Sequence, residues 1–143
     1  MKVVLEKGAF MPTRAHKDDA GLDLYSPVCA AVMPKWKGGT DNSVVIDTLV
    51  RVQIPKGYVG DIDSKSGLMV KHDIITDGTI DAGYTGTIRV KLFNLGSEIF
   101  RIERGQKIAQ LVLKKIITPE LEVVDSLEET DRGNGGFGST GKF

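Results

Sequence analysis

A period of two constrains this chain more than any other feature of its sequence. Val50, Val52 and Ile54 alternate with Arg51 and Gln53 and stop at Pro55-Lys56-Gly57, and Ile88, Val90 and Leu92 alternate with Thr87, Arg89 and Lys91 before Asn94-Leu95-Gly96. Successive side chains of a strand point to opposite faces, so the pattern describes half-buried antiparallel strands closed by turn residues. Residues 108–113 and 121–124 are further β-prone runs, and Gly or Pro punctuates the chain about every ten residues. No stretch sustains a 3.6-residue apolar period, which leaves one short helix, over 67–72. The expectation is an all-β sandwich or barrel. Two segments read as loops: 34–43 (PKWKGGTDNS), which carries Trp36, and 128–138, a charged linker into a glycine-rich end. There is no internal repeat, and 143 residues suit one domain with a core of its own.

The totals exclude several function classes. Nineteen basic and nineteen acidic side chains balance, so charge makes no case for nucleic acid or a membrane surface as partner. The one cysteine, Cys29, excludes an internal disulfide and fits a reducing compartment. No apolar run approaches the roughly 20 residues of a spanning helix, and MKVVLEKGAF is too short in apolar residues for a signal peptide. A soluble, cytoplasmic protein is expected.

Five clusters of small and polar residues sit in or between the strands. The end of the chain, RGNGGFGSTGKF, can converge backbone N–H groups on an anion, because glycine tolerates positive φ. It nearly matches GxxxxGK[ST] through Gly136, Gly141 and Lys142, but Phe143 stands where a magnesium-holding hydroxyl belongs. No residues follow to build the helix a P-loop needs, so the segment reads as a tail that closes over something phosphorylated, or as a plain solvated terminus. In AGLDLYS, Leu22 and Leu24 face one way and Asp23 the other, an isolated carboxylate pointing away from the core. By itself this reads as a solvated surface acid ahead of a site residue. DSKSGLMVKH puts Ser64, Lys65, Ser66 and Gly67 at a helix start, where hydroxyls and N–H groups make either a phosphate site or an ordinary N-cap.

DGTIDAGYTG reads as a hairpin: a strand to Ile80 and Asp81, a turn through Ala82-Gly83, a return through Tyr84. Its glycine-framed backbone can hydrogen-bond a flat ring, and Tyr84 can pack on a sugar. Asp81 is the best general-base candidate, or else it serves the turn. Last, RIERGQKIAQLVL sets Gln110 between Ala109 and Leu111, where the amide faces either water or a ligand.

Taken in order, AGLDLYS, SKSGL, GTIDAGYTG, GQKIAQLVL and RGNGGFGSTG resemble the five motifs of the trimeric dUTP diphosphatases, the dUTPases, from Ala20 to the chain's last residues. The resemblance implies a jelly-roll-like distorted β-barrel over residues 1–131, a mobile glycine-rich tail over 132–143, and a homotrimer with three active sites between subunits. Each site takes the first, second and fourth motifs from one chain, the hairpin from a neighbour and the tail from the third. It implies Mg²⁺-dependent hydrolysis of dUTP to dUMP and pyrophosphate, which limits uracil incorporation into DNA and supplies dUMP for thymidylate synthesis. Asp81 holds and deprotonates the attacking water and bonds the sugar 3′-hydroxyl. Tyr84 packs under the deoxyribose and excludes a 2′-hydroxyl. Main-chain groups of Gly78, Thr79 and Ile80 read the uracil edge. Lys65, Ser66 and Gly67 bind the phosphate chain, with Ser66 near the leaving oxygen, and Gln110 bonds the water or a phosphate oxygen. Arg89 joins the substrate-binding set. Asp23 acts on Mg²⁺ through water while the triphosphate ligates it directly. Arg132 reaches the γ-phosphate, and Phe137, Gly138, Ser139 and Thr140 close over the nucleotide, with Phe137 on the uracil face.

Three departures stand out. Lys65 replaces the family's usual arginine and cannot make its bidentate phosphate contact. The segment between His72 and Asp81 is shorter than in many relatives, and the 34–43 loop is longer, so that Trp36 is either a regulatory partner's contact or a loop aromatic. Two rival readings remain: a nucleotide-gated regulatory binding protein on the same scaffold, and a dCTP deaminase relative. The deaminases use a hairpin glutamate, which this chain lacks between Ile74 and Arg89.

Overall fold

A computed structural model describes residues 1–35 and 41–136. Among these described residues ten strands and one short helix follow in the order β1 (Lys2–Leu5), β2 (Gly21–Tyr25), β3 (Ala30–Val32), β4 (Ser43–Gln53), β5 (Tyr58–Asp63), α1 (Ser66–His72), β6 (Ile74–Ile75), β7 (Asp77–Ile80), β8 (Thr87–Asn94), β9 (Phe100–Ile102) and β10 (Lys107–Lys115). They form a four-stranded sheet β1-β4-β8-β6, a second β2-β10-β5-β7, and a ribbon β3-β9, with every pair antiparallel.

The period-two faces become the core. Ile46, Thr48, Val50 and Val52 of β4 and Ile88, Val90 and Leu92 of β8 are buried, and they meet Leu24, Ile62, Ile108 and Leu111 from the second sheet. Burying such side chains contributes on the order of 1.5–3 kcal/mol each. Asn94 closes the end of β8 from inside: its Nδ2 donates to the Val32 and Glu98 carbonyls at 2.9 and 2.8 Å, and its Oδ1 accepts the Gly96 N–H at 2.9 Å. A buried amide this well satisfied fixes the turn that the Asn-Leu-Gly triplet announces.

Three expectations need correction. Residues 121–124 form no strand, and Leu121 and Val123 are almost fully exposed, since no described strand of this chain lies beside them. The helix starts one residue earlier than expected, at Ser66. The DGTIDAGYTG segment is a turn but not a paired hairpin, because β7 pairs with β5 and β8 pairs with β4 and β6. It therefore carries the chain from one sheet to the other. Trp36 lies outside the described residues.

Candidate active site

The register of the second sheet sets up the first half of the site. Gln110 in β10 stands opposite Asp23 of β2 on one side and opposite Asp63 of β5 on the other. Directly opposed residues share a face, so two carboxylates and an amide lie in a row across three strands. They line a cavity of about 410 Å³ with Gly21, Asp19 and Lys65.

Asp23 is not the solvated acid that its surroundings in sequence suggest. Its side chain is 5% exposed and lies between two ammonium groups, with Lys65 Nζ 2.5 Å from Oδ1 and Lys107 Nζ 2.7 Å from Oδ2. Burial pushes its carboxyl up, while hydrogen bonds from Lys107 and Lys65 and their charges pull it down. The net value lies below the ordinary carboxylate one. The same contact holds the Lys107 ammonium above its ordinary value.

Lys107 reaches this face through a bulge. It lies three positions before Gln110, an offset that in a regular strand would put the two on opposite faces. Between Lys107 and Ala109, however, β10 has one residue more than β2 has between Tyr25 and Leu24. The extra residue restores the parity and turns Lys107 onto Asp23.

Gln110 is held as firmly. Its Nε2 donates to the Ser64 carbonyl at 3.2 Å, and its side chain lies against Gly21, where an added Cβ would stand 2.4 Å from Oε1 and 3.1 Å from the glutamine Cβ. Ser64 is bound in turn: its hydroxyl donates to the Thr76 carbonyl at 2.8 Å and accepts the Thr76 N–H at 2.9 Å. The hydroxyl thus ties the SKSG turn to the strands after α1 and does not cap the helix. The N-cap is Lys65, without a side-chain cap. Ser66 and Gly67 open α1 beside it, exposed and outside the cavity lining.

The second half lies around the inter-sheet turn. A cavity of about 190 Å³ is lined by Thr79, Ile80, Asp81, Tyr84, Thr87 and Arg89. Asp81 is exposed, and its main-chain carbonyl accepts the Tyr84 N–H at 3.0 Å. The Tyr84 hydroxyl donates to the Thr87 carbonyl at 2.9 Å, and its ring lies over Gly86, where a Cβ would come within 2.6 Å of Cζ. Gly78 stands opposite Ile62 in β7, which is the edge strand of its sheet. One row of its main-chain groups is therefore left without a strand partner.

The two cavities share no lining residue. Arg132 lines neither; its Nε donates to the Gly135 carbonyl at 3.0 Å within a local turn. Phe137, Gly138, Ser139 and Thr140 lie outside the described residues. A further cavity of about 330 Å³ beside Met1, Val3, Met11 and Leu113 is walled by apolar groups except for Arg14 and offers no acid or base. Sequence reading missed Lys107 and Asp63; only a count of residues between paired positions exposes the first.

The dUTPase family model matches residues 7–141. The chain is 44% identical to the deoxyuridine 5′-triphosphate nucleotidohydrolase of Clostridium novyi (strain NT), covering 99% of each. It is similar to the structure of Staphylococcus bacteriophage 80alpha dUTPase with dUPNHPP, at a TM-score of 0.84 and 37% identity over 98% of this chain and 97% of that one. It is similar also to a mutant dUTPase from phage phi11 of S. aureus, whose structure reveals the coordination of a structural Mg(II) ion, at 0.79 and 33% over 90% and 98%. An all-β fold with two carboxylate-bearing clefts and this set of motifs defines a nucleotide-handling β protein. The chain belongs to the dUTPase family.

Proposed function

We propose that the protein hydrolyses dUTP to dUMP and pyrophosphate, with Asp81 as the general base. The observation that carries this reading is the division of the motif residues between two open clefts, each chemically incomplete. One holds the Lys65 ammonium and the Gln110 amide among the carboxylates of Asp19, Asp23 and Asp63, and the other holds the exposed Asp81 carboxylate beside an aromatic ring. Water attacks the α-phosphorus, its proton passes to Asp81, and the bond to the bridging oxygen of pyrophosphate breaks. A placed base of this kind contributes about 10²–10⁴-fold.

The edge of β7 suits the base of the nucleotide. Main-chain donors and acceptors of Gly78, Thr79 and Ile80 can pair with the uracil edge, while Tyr84, fixed through Thr87, packs under the sugar and leaves no room for a 2′-hydroxyl. Arg89 adds a cation to the same cleft. At the other cleft Lys65, with Ser66 and Gly67 just outside its lining, takes the phosphate chain, and Gln110 orients the water or a phosphate oxygen.

The residues present fit Mg²⁺ only in a particular way. Both Asp23 oxygens are engaged by lysine, and among the described residues no group of three His, Cys, Asp or Glu is arranged to hold a metal ion. With its oxygens paired to lysine, Asp23 would serve Mg²⁺ only through water, and the ion would come with the triphosphate. Bound there, Mg²⁺ supplies neutralisation of phosphate charge.

Because the clefts are separate in one chain, the reading requires that the Asp81 cleft of one subunit face the Lys65 cleft of another, and the resemblance to trimeric dUTPases makes the proposed assembly a homotrimer. In it the sheets form a jelly-roll-like barrel over 1–131, and the tail from Arg132 through Phe137, Gly138, Ser139 and Thr140 closes the site. No helix of the described residues is long and apolar enough to cross a membrane, and a cytoplasmic place suits the reaction. A regulatory partner at the 34–43 loop rests on the sequence alone. Pyrophosphate release with Mg²⁺ from dUTP, UTP, dTTP and dCTP in parallel tests the proposal. Release from dUTP alone is expected, and equal release from UTP would remove the role given to Tyr84.

A further inference from the structure

Strand β4 carries a bulge directly behind the Asp81 cleft. Asp47 pairs with Arg89 and Arg51 with Thr87, so Thr48, Leu49 and Val50 together oppose Ile88 alone. Extra residues in one strand bend it and sharpen its twist, and such bulges recur beside active sites, where they re-aim side chains. Inside this one Leu49 sits at φ 60°, a left-handed conformation that a leucine adopts only where its surroundings impose it.

Asp47 is the imposing group, and it does more than hold the bulge. Its Oδ1 accepts the Leu49 N–H at 2.9 Å, and its Oδ2 accepts the Thr87 hydroxyl at 2.8 Å. Arg89 Nε stands 3.5 Å from that same Oδ2. One carboxylate thus fastens the strained residue of β4 and two members of the Asp81 cleft, Thr87 and Arg89. Thr87 passes the constraint on, since its carbonyl accepts the Tyr84 hydroxyl. Two neighbours clamp the same turn: the Thr48 hydroxyl donates to the Ile88 carbonyl at 2.8 Å, and Arg51 Nε donates to the Thr85 carbonyl at 2.7 Å.

We propose that Asp47 is a positioning residue for sugar selection: through Thr87 it sets the place of the Tyr84 ring, and through its ion pair it sets the Arg89 guanidinium. The inference rests on the dUTP reading of this cleft. It assigns to β4, which carries none of the five motifs, control over how tightly the cleft excludes a 2′-hydroxyl. A carboxylate is suited to this because it accepts from an amide and a hydroxyl while its charge pairs with a guanidinium, which no neutral side chain does.

The test separates positioning from mere support of the bulge. Four variants are compared for kcat and KM with dUTP and with UTP: Asp47→Ala, Thr87→Val, Leu49→Gly and the double Asp47→Ala/Leu49→Gly. Glycine at 49 accepts the left-handed backbone without help. The double variant should therefore regain stability but keep the selectivity defect. The expected loss is about tenfold in the preference for dUTP over UTP, the scale of one charge-assisted hydrogen bond, in Asp47→Ala, Thr87→Val and the double. Leu49→Gly alone keeps the wild-type preference.

If the double variant recovers selectivity along with stability, or if Thr87→Val leaves selectivity intact, Asp47 serves the bulge and the proposal is overturned. Amide exchange of residues 82–87, read without nucleotide, decides independently of catalysis. It should be faster than wild type in Thr87→Val and in the double variant, and unchanged exchange overturns the proposal. A wild-type protein that failed to cleave dUTP would sink the functional reading, and the exchange measurement would still stand.

Discussion

The Lys65 ammonium lies 2.5 Å from a carboxylate oxygen of Asp23, a group buried in the second sheet, so in the free chain this phosphate-binding candidate is engaged by an acid. Lys107 forms an ion pair with the other oxygen, so in this triad one carboxylate meets two ammonium groups, of which Lys65 donates a hydrogen bond to Oδ1. Lys65→Met leaves Asp23 with one partner and should lower stability by about 1–3 kcal/mol. Adding Asp23→Asn removes the charge and should return most of that loss. Urea unfolding of the three proteins checks it, and an unmoved midpoint for Lys65→Met would mean that Lys107 alone satisfies the carboxylate.

The same triad sets an acid limit. Burial raises the Asp23 carboxyl, and the hydrogen bonds and charges of Lys107 and Lys65 lower it by more, so the folded value lies below the unfolded one. A depressed folded value stabilises the fold at higher pH. The contribution is complete above about pH 5 and is lost as pH falls through the unfolded value and then the folded one. Unfolding midpoints between about pH 5 and 2 should fall more steeply for wild type than for Asp23→Asn. Parallel profiles would show that Asp23 contributes nothing to the acid transition.

Two glycines are required by what lies on them. A Cβ at Gly21 would stand 2.4 Å from Oε1 and 3.1 Å from Cβ of Gln110, so Gly21→Ala must displace the amide from its cleft. A Cβ at Gly86 would meet the Tyr84 hydroxyl at 2.4 Å and break its bond to Thr87. Gly21→Ala should lower kcat about 10–100-fold, as misplaced catalytic groups do, and Gly86→Ala should chiefly raise UTP cleavage. Both effects are read from steady-state kinetics on the two nucleotides.

Much of the fold was legible in local pattern. The buried face of β4 through Val50 and Val52 and that of β8 through Ile88, Val90 and Leu92 follow from alternation alone, and the short helix follows from the absence of any longer one. Asp23 was misread because its partners Lys65 and Lys107 are distant in sequence and no local window contains them. The hairpin was misread because two strands flanking a tight turn usually pair, whereas β7 is claimed by β5 from across α1. Lys107 and Asp47 escaped notice for one common reason. Each acts at a bulge, and a bulge is a difference between two strands that neither sequence reveals separately.

The tail makes a prediction that concerns catalysis and not folding. Arg132 lines neither cleft, and the residues just before it have exposed side chains without regular structure. Deleting residues 132–143 should therefore cut turnover on dUTP by about 100-fold or more, as loss of a closing segment and its arginine does, and leave the melting temperature within about 1 °C of wild type. Retained turnover would reduce the tail to a solvated terminus.

The central claim is that two incomplete clefts on different subunits make one site, and complementation tests it most directly. Asp81→Asn disables one cleft and Gln110→Leu the other, so each protein alone should be inactive on dUTP. Unfolded together and refolded at equal amounts, they should regain about a quarter of the wild-type rate, since random assembly leaves that share of sites with both residues intact. A mixture as inactive as its parents would place Asp81 and Gln110 in a site built within one subunit and contradict the account.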